Sequence, residues 1–239
     1  MSHLSRSIAV LAWAAALPAL AGGEDLTIVS RTTTNQGAPG VSTQYIAADR
    51  IRTSDGENDT VMEVVAGRFT VINHKKKEYY EFTRDEMLLA MQKFEQQMAG
   101  PAGAMFEKMM GGKAGEVTVQ KGASRKVAGY DCANYTFSLG ENMRYEMCVT
   151  QALQLPVQYY AALEGPYWMM GPMGKRFVKI FDEMKKVKGL PVAMNTTVNL
   201  MAMKMQLTSE VTEVRKGAIP ATAFQVPAGY KKKDAPFRR

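Results

Sequence analysis

Residues 127–150 read VAGYDCANYTFSLGENMRYEMCVT, and this stretch decides the fold class. Its two halves, residues 127–138 and 143–150, alternate aromatic or aliphatic side chains with polar ones. Such alternation is typical of strands that bury one face. The residues between the halves, Leu139-Gly140-Glu141, are a turn signal. The stretch therefore predicts an antiparallel hairpin.

The same hairpin contains both cysteines of the chain. If Tyr135 lies opposite Tyr145, Cys132 lies directly opposite Cys148. In an oxidising compartment such a pair indicates a disulfide. A disulfide that closes a loop of about 15 residues contributes ~3 kcal/mol to the free energy of unfolding. The cysteines then share their face of the hairpin with four polar side chains: Asn134, Thr136, Arg144 and Glu146.

Further strand-like runs lie on both sides of the hairpin. Strands this short and close in sequence favour antiparallel neighbours. The runs before it are separated by turn signals and cover residues 26–33, 42–47, 49–53, 61–65, 68–73, 78–82 and 116–120. Two longer runs follow it, near residues 190–198 and 203–214.

Three helices are predicted among these strands. Thr83-Arg84-Asp85-Glu86 matches a capping box, in which Thr83 caps the helix and Glu86 reaches back. Apolar residues then recur at helical spacing. A second, short helix is predicted over residues 102–110. A third, over residues 175–188, has an apolar stripe of Phe177, Ile180, Phe181, Met184 and Val187.

The first 21 residues have the pattern of a cleaved signal peptide. Arg6 precedes an apolar run over residues 8–20, and Ala19-Leu20-Ala21 supplies small residues for cleavage. We therefore expect a periplasmic or secreted protein with one domain over residues 22–239. Export excludes most chemistry that needs ATP or nicotinamide cofactors.

The formal net charge is +7, and much of it lies in short lysine runs, such as residues 75–77 and 231–233. We interpret these runs as solvated turns and helix ends. Weak peripheral attraction to an anionic membrane is the alternative. Nucleic acid is not an expected partner, because no aromatic residues are interleaved with the basic ones.

Catalytic chemistry is not indicated. The chain has two histidines; His3 lies in the signal segment, and His74 lies in a lysine-rich turn, where we expect it to be solvated. The sequence therefore predicts no histidine-based metal cluster, no catalytic residue and no cofactor. We expect a protein that is not an enzyme.

Several segments together resemble a known family. They are Lys-Glu-Tyr-Tyr at residues 77–80, Val-Ala-Gly-Tyr-Asp-Cys at 127–132, Gly-Leu-Pro-Val at 189–192, Glu-Val-Thr-Glu-Val at 210–214 and Phe-Gln-Val-Pro at 224–227. Their order is similar to that of an exported bacterial family, domain of unknown function 4412, and distantly to the periplasmic lipoprotein carriers LolA and LolB. The resemblance implies a mainly β, α+β fold: a curved antiparallel sheet that forms an incomplete barrel and has its concave face covered by helices. The carriers hold acyl chains in that space.

Methionine is abundant, with 18 residues. Core packing explains most of them. A plastic apolar cavity is the second interpretation, since thioethers adapt to irregular ligands. Capture of cuprous copper by Met87 and Met91 is the third.

We therefore hypothesise a non-catalytic binding protein for a lipid, an acyl chain or a lipidated partner. The alternative is a structural or interaction module of the cell envelope with a filled core and a contact patch around Trp168. The predicted cavity wall is Met87, Met91, Phe94, Met98, Phe177, Phe181, Met203 and Met205, and the predicted lid is Tyr159, Tyr167 and Trp168.

Overall fold

A computed structural model describes residues 24–35, 37–97, 100–101, 104–105, 115–155, 159–160, 172–200 and 203–238. The first half of this part of the chain contains β1 (Leu26–Thr34), β2 (Gly37–Ile46), β3 (Arg50–Ser54), β4 (Asn58–Glu63), β5 (Arg68–Asn73), β6 (Glu78–Thr83) and helix α1 (Arg84–Gln97). The second half contains β7 (Val117–Val127), β8 (Tyr130–Leu139), β9 (Met143–Thr150), helix α2 (Pro172–Met184), β10 (Leu190–Leu200), β11 (Met203–Lys216) and β12 (Lys231–Lys232). Short 3-10 helices flank β12, at Ala221–Phe224 and Pro236–Arg238.

Within the described residues, twelve strands form one open sheet in the order β12-β6-β5-β4-β3-β2-β1-β11-β10-β9-β8-β7. Every neighbouring pair is antiparallel except β12 and β6. The first and eleventh strands join the two halves, with Leu26 opposite Lys216. The fold is thus the predicted mainly β, α+β architecture: a curved antiparallel sheet, not closed, with helices against it.

One face of the sheet, which we call the inner face, carries most of the large core side chains. In β5 and β6, Phe69 lies opposite Phe82, and in β8 and β9, Phe137 lies opposite Tyr145. All four are buried. Helix α2 covers the inner face of the second half, where the Phe177 ring meets the Tyr145 ring edge-on at 6.2 Å.

The disulfide between Cys132 and Cys148 is present, which confirms that prediction; the two Cα atoms are 5.3 Å apart. The predicted strand register is wrong by two residues. Asn134, not Cys132, lies opposite Cys148, so the bond is diagonal. The observed register places buried Leu139 opposite buried Met143.

The polar face of the hairpin is nevertheless the one predicted. A slip of two residues keeps every side chain on its own face, because side chains alternate with a period of two. Tyr135, which we expected opposite Tyr145, instead lies opposite Met147 on the same inner face.

Helix α1 begins as predicted, at the capping box. The Thr83 backbone N donates to Glu86 Oε2 at 2.8 Å, and the Glu86 backbone N donates to Thr83 Oγ1 at 3.2 Å. The third predicted helix, α2, covers residues 172–184 instead of 175–188. It ends at Met184 because the chain tightens there: the Val187 N donates to the Met184 carbonyl three residues back, at 3.0 Å. The predicted helix over 102–110 lies largely outside the described residues.

The C-terminal segment, residues 217–238, wraps the edge of the sheet. It starts on the outer face of the first half, where the Arg52 guanidinium donates to the Ala223 carbonyl. Strand β12 then pairs with β6 at the edge. Beyond it, the Phe237 ring packs edge-on against Phe82, whose side chain belongs to the inner face, at 5.3 Å. The lysines of residues 231–233 therefore follow a sheet edge, where Lys232 pairs with Glu81 at 2.5 Å.

Candidate functional site

A pocket of about 140 Å³ lies between the inner face and α2. It is partly open to solvent. Strands β1, β2, β9, β10 and β11 form its floor, and α2 forms one wall. The apolar part of its lining is Ile28, Met147, Phe181, Met184, Pro191, Val192, Ala193, Met194 and Val211.

The other part of the lining is polar but uncharged. It comprises Ser30, Ser42, Gln44, Ser209, Tyr145, Tyr159 and Tyr160. Strand alternation explains how these residues meet. Ser30 follows Ile28 by two positions on the same face of β1, and it lies opposite Ser42 on β2 and opposite Val211 on β11.

Two consecutive tyrosines close the polar end. The Tyr159 hydroxyl donates to Gln44 Oε1 at 2.9 Å, and the rings of Tyr159 and Tyr160 meet edge-on at 5.4 Å. Burial raises the pKa of both hydroxyls, that of Tyr160 to about 12, and the neighbouring Tyr160 adds to the upward shift of the Tyr159 pKa. Both groups are therefore neutral phenols at physiological pH.

None of the described residues that line this pocket is charged. Buried charges need partners, and the described lining offers no charged side chain to a ligand. The pocket therefore suits an apolar or uncharged group.

Two of the predicted site residues, Tyr159 and Phe181, line the pocket. Phe177 is buried beside it, against Tyr145. Met87 and Met91 are buried on α1 and do not line the pocket.

The other predicted site residues lie elsewhere. Phe94 on α1 and Met205 on β11 are exposed, at 41% and 47%. Four lie outside what the structure describes: Met98, Tyr167, Trp168 and the side chain of Met203.

Sequence reasoning missed Gln44 and the three serines, because it assigned a cavity wall only to apolar side chains. The available signal was the alternation of β1 and β2. Ser30 and Gln44 occupy positions that share a face with Ile28 and Ile46, both buried.

The prediction that His74 is solvated is wrong. Its Nε2 lies 2.6 Å from Asp59 Oδ2, and its Nδ1 lies 2.8 Å from the Tyr230 hydroxyl. The C-terminal segment covers this turn, which a run of lysines does not reveal. The contacts tie Tyr230 to the sheet on the outer face, away from the inner pocket.

A second, larger depression of about 370 Å³ lies on the outer face, over β7–β11. Two asparagines in it donate to neighbouring protein groups: Asn195 Nδ2 donates to Glu146 Oε2 at 3.0 Å, and Asn134 Nδ2 donates to the backbone carbonyl of Ala123 at 2.6 Å. The Arg144 guanidinium, followed by Asn195, holds the pKa of Glu146 below its ordinary value despite the opposing effect of burial. These contacts hold the outer face together.

Within the described part of the chain, no group of three His, Cys, Asp or Glu side chains is placed to hold a metal ion. Neither described helix combines the length and apolar character needed to cross a bilayer.

The sequence matches the model of the family described as Domain of unknown function (DUF4412) over residues 32–230. The chain therefore belongs to this family, which confirms the resemblance found in its sequence. No curated protein matches the sequence.

Several solved structures are similar in shape. An uncharacterized conserved protein from Thermus thermophilus aligns with 89% of this chain and 91% of its own, at 7% identity and a TM-score of 0.48. MucB of the Pseudomonas aeruginosa MucA/MucB complex aligns with 87% of this chain and 58% of its own, at 11% identity and a TM-score of 0.44. A LolA superfamily protein from Nitrosomonas europaea aligns with 84% and 90%, at 8% identity and a TM-score of 0.29. These scores are low, so the similarities carry no argument about function.

Proposed function

We propose that this protein is an exported, non-catalytic binding protein that holds the apolar part of a lipid, an acyl chain or a lipidated partner between its sheet and α2. The observation that carries the proposal is the partly open inner pocket, whose described lining combines an apolar wall with uncharged polar groups.

The size of the pocket limits what it holds. At about 140 Å³, it is comparable to an engineered apolar cavity of about 150 Å³ that binds benzene. It therefore accepts on the order of six carbon atoms. At ~0.8 kcal/mol per buried methylene, that contributes roughly 5 kcal/mol before ordering costs. We infer that the pocket binds one segment of a longer chain and that the rest continues through the opening.

Two features support export. Residues 1–21 have the pattern of a signal peptide, and the Cys132–Cys148 disulfide is typical of an oxidising compartment. We propose the periplasm or the exterior as the location, with residues 22–239 as one domain. Peripheral contact with an anionic membrane and a lid formed by Tyr159, Tyr167 and Trp168 remain predictions.

Pocket occupancy can be tested with a pair of neighbouring substitutions on β2. Ser42 lines the pocket, whereas Val41 lies on the other face and is 60% exposed. Ser42→Phe fills the pocket, and Val41→Phe adds an aromatic ring just outside it. Binding of a fluorescent dodecanoyl probe is measured for both variants and the parent, with thermal unfolding as the check on folding.

We expect Ser42→Phe to weaken probe binding at least about tenfold, while Val41→Phe binds like the parent. Native mass spectrometry of the purified parent should show a co-purifying lipid, and this lipid should be lost in Ser42→Phe. A parent protein free of lipid that also ignores the probe would contradict the proposal and favour the envelope interaction module.

A further inference from the structure

At the polar end of the pocket, the buried Tyr160 hydroxyl has no hydrogen-bond partner among the described residues, and the described lining has no charge. We propose that it recognises an uncharged acyl ester or amide by its carbonyl oxygen, in preference to a free fatty acid or a cationic amphiphile. This inference rests on the proposed function, since it concerns the head group of the same ligand.

The first donor is on Gln44. Its Oε1 accepts the Tyr159 hydroxyl at 2.9 Å, which fixes the orientation of the amide. The Nε2 hydrogens of Gln44 are therefore left to donate to another group. Because Gln44 lines the pocket, a ligand in the pocket can reach them.

The second donor is Tyr160. Its hydroxyl oxygen is buried and has no hydrogen-bond partner among the residues that the structure describes. A tyrosine hydroxyl is protonated near neutral pH, and burial raises the pKa of Tyr160 further, to about 12. A buried hydroxyl without a partner costs free energy, and a ligand that supplies an acceptor recovers it.

The absence of charge in the described lining disfavours an ionised head group. The described lining contains no Lys, Arg or His to pair with a carboxylate, and no Asp or Glu to pair with an ammonium group. An ion buried there would lose its hydration without compensation. A carbonyl loses little and accepts from the two donors. Ser30, Ser42 and Ser209 add hydroxyls for the second ester oxygen or the amide N–H.

The test compares three amphiphiles with the same dodecyl-length chain: 1-monododecanoylglycerol, dodecanoic acid and dodecyltrimethylammonium. Each displaces a fluorescent apolar probe from the purified protein near neutral pH, below its micelle concentration. We expect the ester to bind at least about tenfold more tightly than either ion. Equal binding of all three would overturn the inference while leaving the proposed function intact. Displacement by none of them would overturn both.

Two variants test whether the Tyr160 hydroxyl binds the ester group. Tyr160→Phe removes one donor and should weaken binding of the ester about three- to tenfold, with little change for dodecanoic acid. Tyr80→Phe is the control, because Tyr80 is a half-buried tyrosine on β6 outside the pocket lining. If both variants lose the same affinity for the ester, Tyr160 is not the donor that binds it.

Gln44→Lys provides a gain of function. A cation at this position gives a carboxylate its missing partner, so dodecanoic acid should gain affinity relative to the ester. An unchanged order of affinities in a folded Gln44→Lys protein would show that the head group lies elsewhere and would overturn the inference.

Discussion

The imidazole Nε2 of His74 lies 2.6 Å from Oδ2 of Asp59, a carboxylate with no exposed surface. The same oxygen also pairs with the Arg52 guanidinium, and the other nitrogen of His74 meets the Tyr230 hydroxyl at 2.8 Å. Asp59 is thus the centre of a network that connects β3, β4 and the β5–β6 turn to the C-terminal segment. A single buried anion holds two basic side chains in place.

Replacing this anion should destabilise the protein strongly. Asp59→Asn leaves Arg52 with the Ala223 carbonyl but without its negatively charged partner, and Arg52 has only 16% of its side chain exposed. Breaking a buried pair in this way costs about 3 kcal/mol of the free energy of unfolding, measured by urea denaturation. Asp49→Asn is the matched control, because the Asp49–Arg50 pair is exposed; there we expect less than about 1 kcal/mol. Similar losses in both variants would show that burial of Asp59 does not matter.

Gly189 should tolerate no side chain. It precedes β10 with φ +116°, and a Cβ there would lie 2.2 Å from the Thr150 carbonyl oxygen of β9. Gly189→Ala therefore has to push the two strands apart, which we expect to cost on the order of 3 kcal/mol in thermal or urea unfolding.

Gly56→Ala separates the effect of backbone strain on the free energy of unfolding from the effect of the close contact with Thr150. Gly56 also has a positive φ, +89°, but it has open space around it. Its substitution should cost only about 1 kcal/mol of unfolding free energy, from backbone strain alone. If both glycine variants lose the same amount, the close approach to Thr150 is not the reason.

Reduction of the Cys132–Cys148 bond should lower the free energy of unfolding by ~3 kcal/mol in the chain-entropy model. The comparison is urea unfolding with and without dithiothreitol. A double variant, Cys132→Ala with Cys148→Ala, should unfold like the reduced protein and ignore the reductant. A reductant effect that persists in the double variant would have another origin.

Glu86 should contribute to the dependence of stability on pH. Its pKa is lowered, first by the hydrogen bond from the Thr83 backbone N–H and then by Arg238. Because the folded state has the lower pKa, the stabilisation is complete above the unfolded pKa and is lost as the pH falls through the folded one. Stability measured from about pH 6 to about pH 3 should therefore fall less steeply in Glu86→Gln than in the parent. Parallel curves would contradict this role.

Local features of the fold were predictable from the sequence. The capping box at Thr83 and Glu86 places the start of α1, because its signal is confined to four residues. The faces of the cysteine hairpin were also predictable, since alternation sets the face and a slip of two residues does not change it. The exact register was not, because the pairing of Leu139 with Met143 depends on burial in the assembled core.

The inner pocket was only partly predictable. Tyr159 and Phe181 are large and apolar in character, so they were natural candidates, whereas Gln44 and Ser30 look like solvent-facing residues. They line the pocket because β1 and β2 meet β10 and β11, which lie far along the chain from them. The alternation of β1 and β2 indicates which face Ser30 and Gln44 occupy, but it does not indicate which distant strands lie beside that face. The same reason explains His74, whose partner Tyr230 comes from the end of the chain.

The pairing of β1 with β11 has a consequence for the kinetics of folding. It joins Leu26 to Lys216, and among the described strands only the two-residue pairing of β12 with β6 also links the first half of the chain to the second. Closing so long a loop has a high entropy cost, which slows the pairing of β1 with β11. The hairpins within each half can therefore form well before the two halves pair. Until that pairing forms, β1 and β11 are unpaired edge strands. Self-association of refolding chains should therefore begin at these two strands.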